Sequence, residues 1–280
     1  MKIVLVQLDI VWGNPEANIR RAESLISSYS DVDLFVLPEM WATGFVVQPE
    51  AIAESENASV SLAWMRKVTL THGCAICGSL AVKTVDGTFR NRHYFVTPDK
   101  VYYYDKHHLF SHGHEDETYT AGNTHTLVEW RDFKFLLLTC YDLRFPVWSR
   151  YGWAGEYDAI ILVANWPKSR MAAWDVLLHA RAIENQCFVI AVNRVGEDPV
   201  SHYAGGSVLI DPIGRTLAVC NNNAEQSLEA LLSMEDLLNA RKHFRVLSDR
   251  DTLAVKKNLS YGISCYNGQS HDDSNQYEYS

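Results

Sequence analysis

The chain has 280 residues, 47% of them hydrophobic and 21% charged, with a formal net charge of −9. That length suits one large α/β domain or two small ones, and the composition is that of an ordinary soluble protein. There is no long basic run and no apolar stretch near the ~20 residues of a membrane span, so nucleic acid and membrane are excluded as expected partners.

The opening run, residues 3–8, reads as the first strand of the fold. It is too short and too interrupted for a signal peptide, and no small-residue cleavage site follows it. The six cysteines are too few for a disulfide scaffold, and without an export signal the expected compartment is the cytoplasm, with reduced thiols. Asn14-Pro15-Glu16 then supplies a cap residue, a Pro at the first helical position and an acid in the first turn, so a helix should start there. Residues 34–37 form a second strand closed by Pro38, and residues 62–70 a second helix ending near Gly73. Cys74 and Cys77 have CxxC spacing, but they lie in an apolar run that reads as a strand. Residues three apart on a strand face opposite sides, so these are two unrelated cysteines rather than a metal or redox pair.

The middle of the chain reads as hairpins. Val85-Asp86-Gly87-Thr88 is a turn signal between two strand-like runs, residues 94–96 and 101–104 pair about Pro98-Asp99, and residues 126–130 and 133–138 pair about Arg131-Asp132. Strands at 159–163, 188–192, 206–210 and 216–220 follow. A helix at 174–186 carries Trp174, Leu177, Leu178, Arg181 and Ala182 on one face, and another opens at Ser233-Met234-Glu235-Asp236. Alternating strands and helices with several hairpins predict an α/β fold with mixed sheets. The expected organisation is one domain over residues 1–253 and a polar tail, 254–280, mobile or docked on a partner subunit.

Three chemically active residue types stand immediately after strand-like runs. Glu39 follows Phe35-Val36-Leu37-Pro38, Lys106 follows Val101-Tyr102-Tyr103-Tyr104-Asp105, and Cys140 follows Leu136-Leu137-Leu138-Thr139. A thiol at the C-terminal end of a buried strand sits where α/β proteins place their chemistry, and the N–H of Tyr141 is then free to point at a reacting oxygen. A cysteine nucleophile also needs a base and a charge that offsets the oxyanion, for which Glu39 and Lys106 are the candidates. His107, His108, His112 and His114 cluster in sequence, but their spacing fits no tight metal site. His112 and His114 are expected to line or cover a pocket mouth.

The strings Leu37-Pro38-Glu39-Met40, Tyr104-Asp105-Lys106-His107-His108-Leu109-Phe110 and Cys140-Tyr141-Asp142-Leu143-Arg144-Phe145-Pro146 come in this order. Asn165-Trp166-Pro167, Ala180-Arg181-Ala182-Ile183-Glu184-Asn185-Gln186, Asn193-Arg194-Val195-Gly196 and Gly205-Gly206-Ser207 follow them. With these strings the chain resembles the nitrilase, or carbon–nitrogen hydrolase, superfamily from Met1 to about Leu253, and within it the ω-amidase-like branch. The resemblance implies a nitrilase-like four-layer α-β-β-α sandwich with two mixed sheets, pairing of subunits into a homodimer or higher homo-oligomer, and hydrolysis of a non-peptide C–N bond without metal or organic cofactor. It makes Cys140 the nucleophile, Glu39 the general base and Lys106 the oxyanion stabiliser, with the Tyr141 N–H as second oxyanion donor. Glu115 fits the superfamily's second glutamate, which orients the lysine and the hydrolytic water. The branch often has His after that glutamate, and this chain has Asp116.

Specificity is read from fewer residues. Arg144 is either a fork for a substrate carboxylate or an ion-pair partner of Asp142 or Glu184. Arg170 is the other carboxylate candidate, and Phe45, Phe110, Trp166 and Trp174 are the expected apolar walls. The expected activity is release of ammonia from the terminal amide of a small dicarboxylic acid monoamide, 2-oxoglutaramate or 2-oxosuccinamate, through a cysteine thioester. An N-carbamoyl amine amidohydrolase or nitrilase using the same triad is the alternative, and a non-catalytic binding subunit a more distant one.

Overall fold

The structure, a computed structural model, describes residues 1–251; the expected tail, 254–280, lies outside the described residues. The chain runs β1 (Lys2–Gln7), α1 (Pro15–Ile26), β2 (Leu34–Val36), β3 (Glu54–Ser55), α2 (Val60–His72), β4 (Ala75–Lys83), β5 (Phe89–Val96) and β6 (Val101–Asp105). It continues with β7 (Leu127–Trp130), β8 (Phe133–Thr139), β9 (Ala159–Ala164), α3 (Met171–Asn185), β10 (Phe188–Asn193), β11 (Val195–Glu197), β12 (His202–Ala204), β13 (Val208–Ile210), β14 (Thr216–Val219), β15 (Gln226–Leu231) and α4 (Met234–His243).

Two mixed sheets form. The first has the order β15-β1-β2-β4-β5-β6 with β3 beside β4, and the second β14-β13-β10-β9-β8-β7; β11 and β12 make a separate ribbon. Alternation along the strands builds the layers. Ile3 and Leu5 of β1 join Phe95, Phe135, Ile161 and Val163 in a core between the sheets. Val4 and Val6 point the other way, into a core shared with Ala22 and Ile26 of α1 and Met65 and Val68 of α2. On the far side, Leu136, Leu138, Ile160 and Leu162 pack against Trp174, Leu178 and Ala182 of α3. Strands buried on both faces read as continuous apolar runs, which is why they were visible in the sequence. The result is the four-layer α-β-β-α sandwich.

Local signals act as read. The Asn14 side chain accepts from the Ala17 N–H at 3.0 Å to cap α1, and α2 ends at Gly73 with φ +63°. The hairpins β4/β5, β5/β6 and β7/β8 are antiparallel. Cys74 and Cys77 belong to cores on opposite sides of the first sheet. One expectation needs correction. The strand expected from Gly206 starts at Val208, because Gly205 and Gly206 have φ of +79° and +80°, outside the pleated region. Strand β15, with its polar run Gln226-Ser227-Leu228-Glu229, was not expected, yet it pairs along all of β1 from Lys2↔Leu231 to Gln7↔Gln226.

Candidate active site

Strands β2 and β6 of the first sheet and β8 of the second bring Glu39, Lys106 and Cys140 to one place. Glu39 follows the short β2 after Leu37-Pro38, and Lys106 is the first residue beyond β6. Lys106 is buried, and its ammonium donates to Glu39 Oε1 at 2.9 Å and to Glu115 Oε2 at 2.8 Å. Glu115, at the start of a single 3₁₀ turn in the loop after β6, is also buried and accepts from the Phe110 N–H at 2.7 Å.

Two asparagines complete the cluster. Asn91 on β5 donates to Glu39 Oε1 at 2.7 Å and to Glu115 Oε1 at 2.8 Å. Asn165, just beyond β9, donates its N–H to Glu39 Oε2 at 2.8 Å and its side-chain amide to the Glu39 carbonyl at 2.7 Å. Asn165 stands in one of the ordered sequence strings without a role, and Asn91 belongs to none of them. The signal for Asn91 was its residue type: asparagine is depleted in strands, so one inside a β-hairpin needs a buried partner.

Cys140 directly follows β8 and begins the 3₁₀ turn Cys140–Arg144 with φ +44°, a strained value for a non-glycine residue. Asp142 anchors the turn. Fully buried, it accepts from the Thr139 N–H at 3.0 Å, the His108 N–H at 3.0 Å and the Tyr104 hydroxyl at 2.7 Å. His108 Nδ1 lies 2.9 Å from the same carboxylate, so the lysine loop and the cysteine turn share one anchor. Tyr141 is the second residue of the turn, where an N–H has no acceptor within the turn itself.

Burial pushes the Cys140 thiol well above its ordinary value, Glu39 adds to this, and Lys106 opposes it. Burial also works against the charge of Lys106, but Glu115 and Glu39 outweigh it and hold the ammonium well above its usual range. Burial raises the Glu115 carboxyl, with Lys106 pulling it down and Glu39 pushing it up. The other described cysteines are buried in apolar cores, which raises Cys74 and Cys220 to about 12. Cys140 differs from them in being only partly buried, with both Glu39 and Lys106 acting on its thiol.

The thiol opens on a cavity of about 520 Å³. Phe45, Phe110, Trp166, Tyr141, Arg144 and Arg170 all line it, as do His112 and His114. The Arg144 guanidinium stacks 4.8 Å from the Trp166 ring, and that of Arg170 lies 5.3 Å from the Phe110 ring. Among the described residues neither arginine has an ion-pair partner. Glu184 is taken by Arg181 at 2.8 Å and Arg150 at 3.6 Å, and Asp142 by His108, so the structural alternative for Arg144 is overturned. Trp174 is corrected too: it is buried under the wall, 5.5 Å from Trp166, and donates to the Gly206 carbonyl at 2.9 Å. Trp12 and the segment 199–203, apart from the side chain of His202, form a part of the wall that no sequence signal indicated.

His107 stacks on Trp148 at 3.6 Å and its Nδ1 meets the Gly122 carbonyl at 2.7 Å, so it supports the loop. Among the described residues no group of three or more His, Cys, Asp and Glu is arranged to hold a metal ion.

Comparison with known proteins shows the family. The carbon–nitrogen hydrolase family model matches residues 2–242. An omega-amidase, YafV, of Yersinia enterocolitica is 41% identical over 253 residues, covering 90% of this chain and 97% of its own. A 2-oxoglutaramate amidase of Bacillus subtilis is 35% identical over 252 residues, covering 88% and 96%. In the crystal structure of XC1258 from Xanthomonas campestris, a CN-hydrolase superfamily protein with an arsenic adduct in the active site, the matching chain is 37% identical. It superposes with a TM-score of 0.87 over 91% of this chain and 99% of that one. The chain described here belongs to the carbon–nitrogen hydrolase family.

Proposed function

We propose that the protein is an ω-amidase that releases ammonia from the terminal amide of a small dicarboxylic acid monoamide, with 2-oxoglutaramate and 2-oxosuccinamate as its substrates. One observation carries this reading. A single cavity is lined both by a thiol under the influence of the buried Glu39–Lys106–Glu115 cluster and by two guanidiniums that have no carboxylate partner among the described residues. The omega-amidase and 2-oxoglutaramate amidase among its relatives support the same choice.

In this reading Cys140 is the nucleophile. Its thiol is protonated at rest, so a base must remove the proton as sulfur attacks the amide carbon, and Glu39 does so. The C–S bond forms and the carbonyl π pair moves onto oxygen. Lys106 stays charged throughout; two of its three N–H donors go to Glu39 and Glu115, and the third is free for the oxyanion beside the Tyr141 N–H. Collapse re-forms the carbonyl and breaks the C–N bond, and Glu39 returns its proton to the departing ammonia. Water, activated by Glu39 and oriented by Glu115, then attacks the thioester; the carboxylic acid leaves and the thiol recovers its proton.

Phe45, Phe110 and Trp166 enclose the short carbon chain, while Arg144 or Arg170 holds the far carboxylate. A screen of ammonia release over ω-amides, ureido acids, nitriles and neutral amides tests this. Fastest turnover of the 2-oxo ω-amides is expected; preference for a ureido acid or a nitrile would overturn the assignment. The same reading has the enzyme work as a cytoplasmic homo-oligomer, which light scattering and cell fractionation check.

A further inference from the structure

We propose that Asn91 is a positioning residue that decides which oxygen of Glu39 receives the thiol proton. It does so by filling Glu39 Oε1 and holding the Glu39 and Glu115 carboxylates in fixed orientation. The inference rests on the reading of Glu39 as the base.

The hydrogen-bond inventory leads to it. A carboxylate offers about four acceptor sites, two on each oxygen. Glu39 Oε1 receives Lys106 at 2.9 Å and Asn91 at 2.7 Å, so both of its sites are taken. Glu39 Oε2 receives only the Asn165 N–H, at 2.8 Å, and keeps one site open. The proton that leaves Cys140 therefore lands on Oε2. If Asn91 did not fill the second site of Oε1, two oxygens would compete for that proton.

Asn91 itself is held in one orientation. The Met40 N–H donates to Ser79 Oγ at 2.8 Å, which leaves the Ser79 hydroxyl to donate to Asn91 Oδ1, also at 2.8 Å. With its carbonyl committed, the Asn91 amide presents both N–H groups to carboxylates, the second reaching Glu115 Oε1 at 2.8 Å. Ser79 and Asn91 are buried on the adjacent strands β4 and β5. A rigid sheet thus fixes the geometry of residues that stand on loops.

The amide does not titrate, so its effect on the carboxylates is constant with pH. The ionisable groups around Glu39 are Lys106 beyond β6, Glu115 and Tyr119 in the following loop, and Cys140 beyond β8. His93, two positions along β5, is turned to the Leu138 carbonyl at 3.1 Å, and Arg92 is paired with Asp105 and Glu56. Lys106 is the cation that both carboxylates share in the parent, so the loss of Asn91 removes one neutral donor from each carboxylate without changing the charge around them.

The test is the pH dependence of kcat/KM for ammonia release by the parent, Asn91→Leu, Ser79→Ala and Glu39→Gln. Asn91→Leu removes donors that favour ionised carboxylates, so its acid limb should move to higher pH by about one to two units. Ser79→Ala frees the amide without removing it and should move the limb the same way by less. An acid limb unmoved in a folded Asn91→Leu enzyme overturns the inference. If that variant does not fold, an unmoved limb in Ser79→Ala overturns it instead. Glu39→Gln separates the two readings: retained turnover there overturns Glu39 as base, whereas an inactive Glu39→Gln beside an unmoved Asn91→Leu overturns the role of Asn91 alone.

Discussion

Replacing Lys106 by Met tests the electrostatics of the site, because the side chain is fully buried and touches both carboxylates, at 2.9 and 2.8 Å. Methionine fills a similar volume but leaves Glu39 and Glu115 facing one another without a cation. Removing one partner of a buried ion pair costs about 3–5 kcal/mol, because the remaining charge is left unpaired. The protein can reduce that cost by taking up a proton. The Glu115 carboxyl already lies above its ordinary value, and Lys106 is the group that pulls it down, so in the variant it rises further. A carboxyl whose folded value lies above its unfolded value of ~4.3 contributes stability below that value and loses it as pH rises through the folded value. Lys106→Met should therefore unfold about 3–5 kcal/mol more easily than the parent at pH 8, and the gap should narrow towards pH 5. Urea melts at the two pH values measure it. Ammonia release should also fall on the order of 10²–10³-fold, as for the loss of one oxyanion donor. A stability gap that is the same at both pH values, or turnover within tenfold of the parent, would refute the placement of a charged Lys106 between two buried carboxylates.

Other outcomes follow from the same geometry. Cys140→Ala should lower ammonia release by several orders of magnitude with an unchanged melting temperature, since it swaps small residues at a strand end; more than a few per cent residual turnover would exclude the thioester route. Iodoacetamide should modify Cys140 ahead of Cys74, Cys77, Cys187 and Cys220, which are buried, and more slowly in Lys106→Met than in the parent, as peptide mapping would show. Arg144→Leu or Arg170→Leu, whichever removes the fork, should cut kcat/KM for an amide with a distal carboxylate by roughly ten- to hundredfold, from about 1.5–3 kcal/mol for a charge-assisted pair. Butyramide turnover should hardly change, and equal losses on acidic and neutral amides would show that the arginines shape the cavity instead.

Much of this protein was legible because its parts announce themselves locally. Strand β9 is buried on both faces and appears as an unbroken apolar run, as does the stretch 135–138 of β8, and helix starts and hairpin turns carry their own capping and turn residues. Glu39, Lys106 and Cys140 were legible because each stands just past a strand-like run. The polar strand β15 was not, because its pairing comes from β1 more than two hundred positions away rather than from its own pattern. Nor was Asn91: a neutral amide between two charged strand neighbours acquires meaning only when Glu39 and Glu115 arrive from 52 and 24 positions away. Arg144 shows the same division. Its position four residues after the cysteine was read at once, but whether it is an ion-pair partner or a free guanidinium on the cavity wall depended on where Glu184 and Asp142 find their own partners. The sequence by itself determined which chemical groups stand at strand ends, because strand ends are local events. Which of those groups share a hydrogen-bond acceptor, and which are left unpaired around the cavity, was decided by the packing of two sheets, since desolvation and charge pairing depend on neighbours that are distant along the chain.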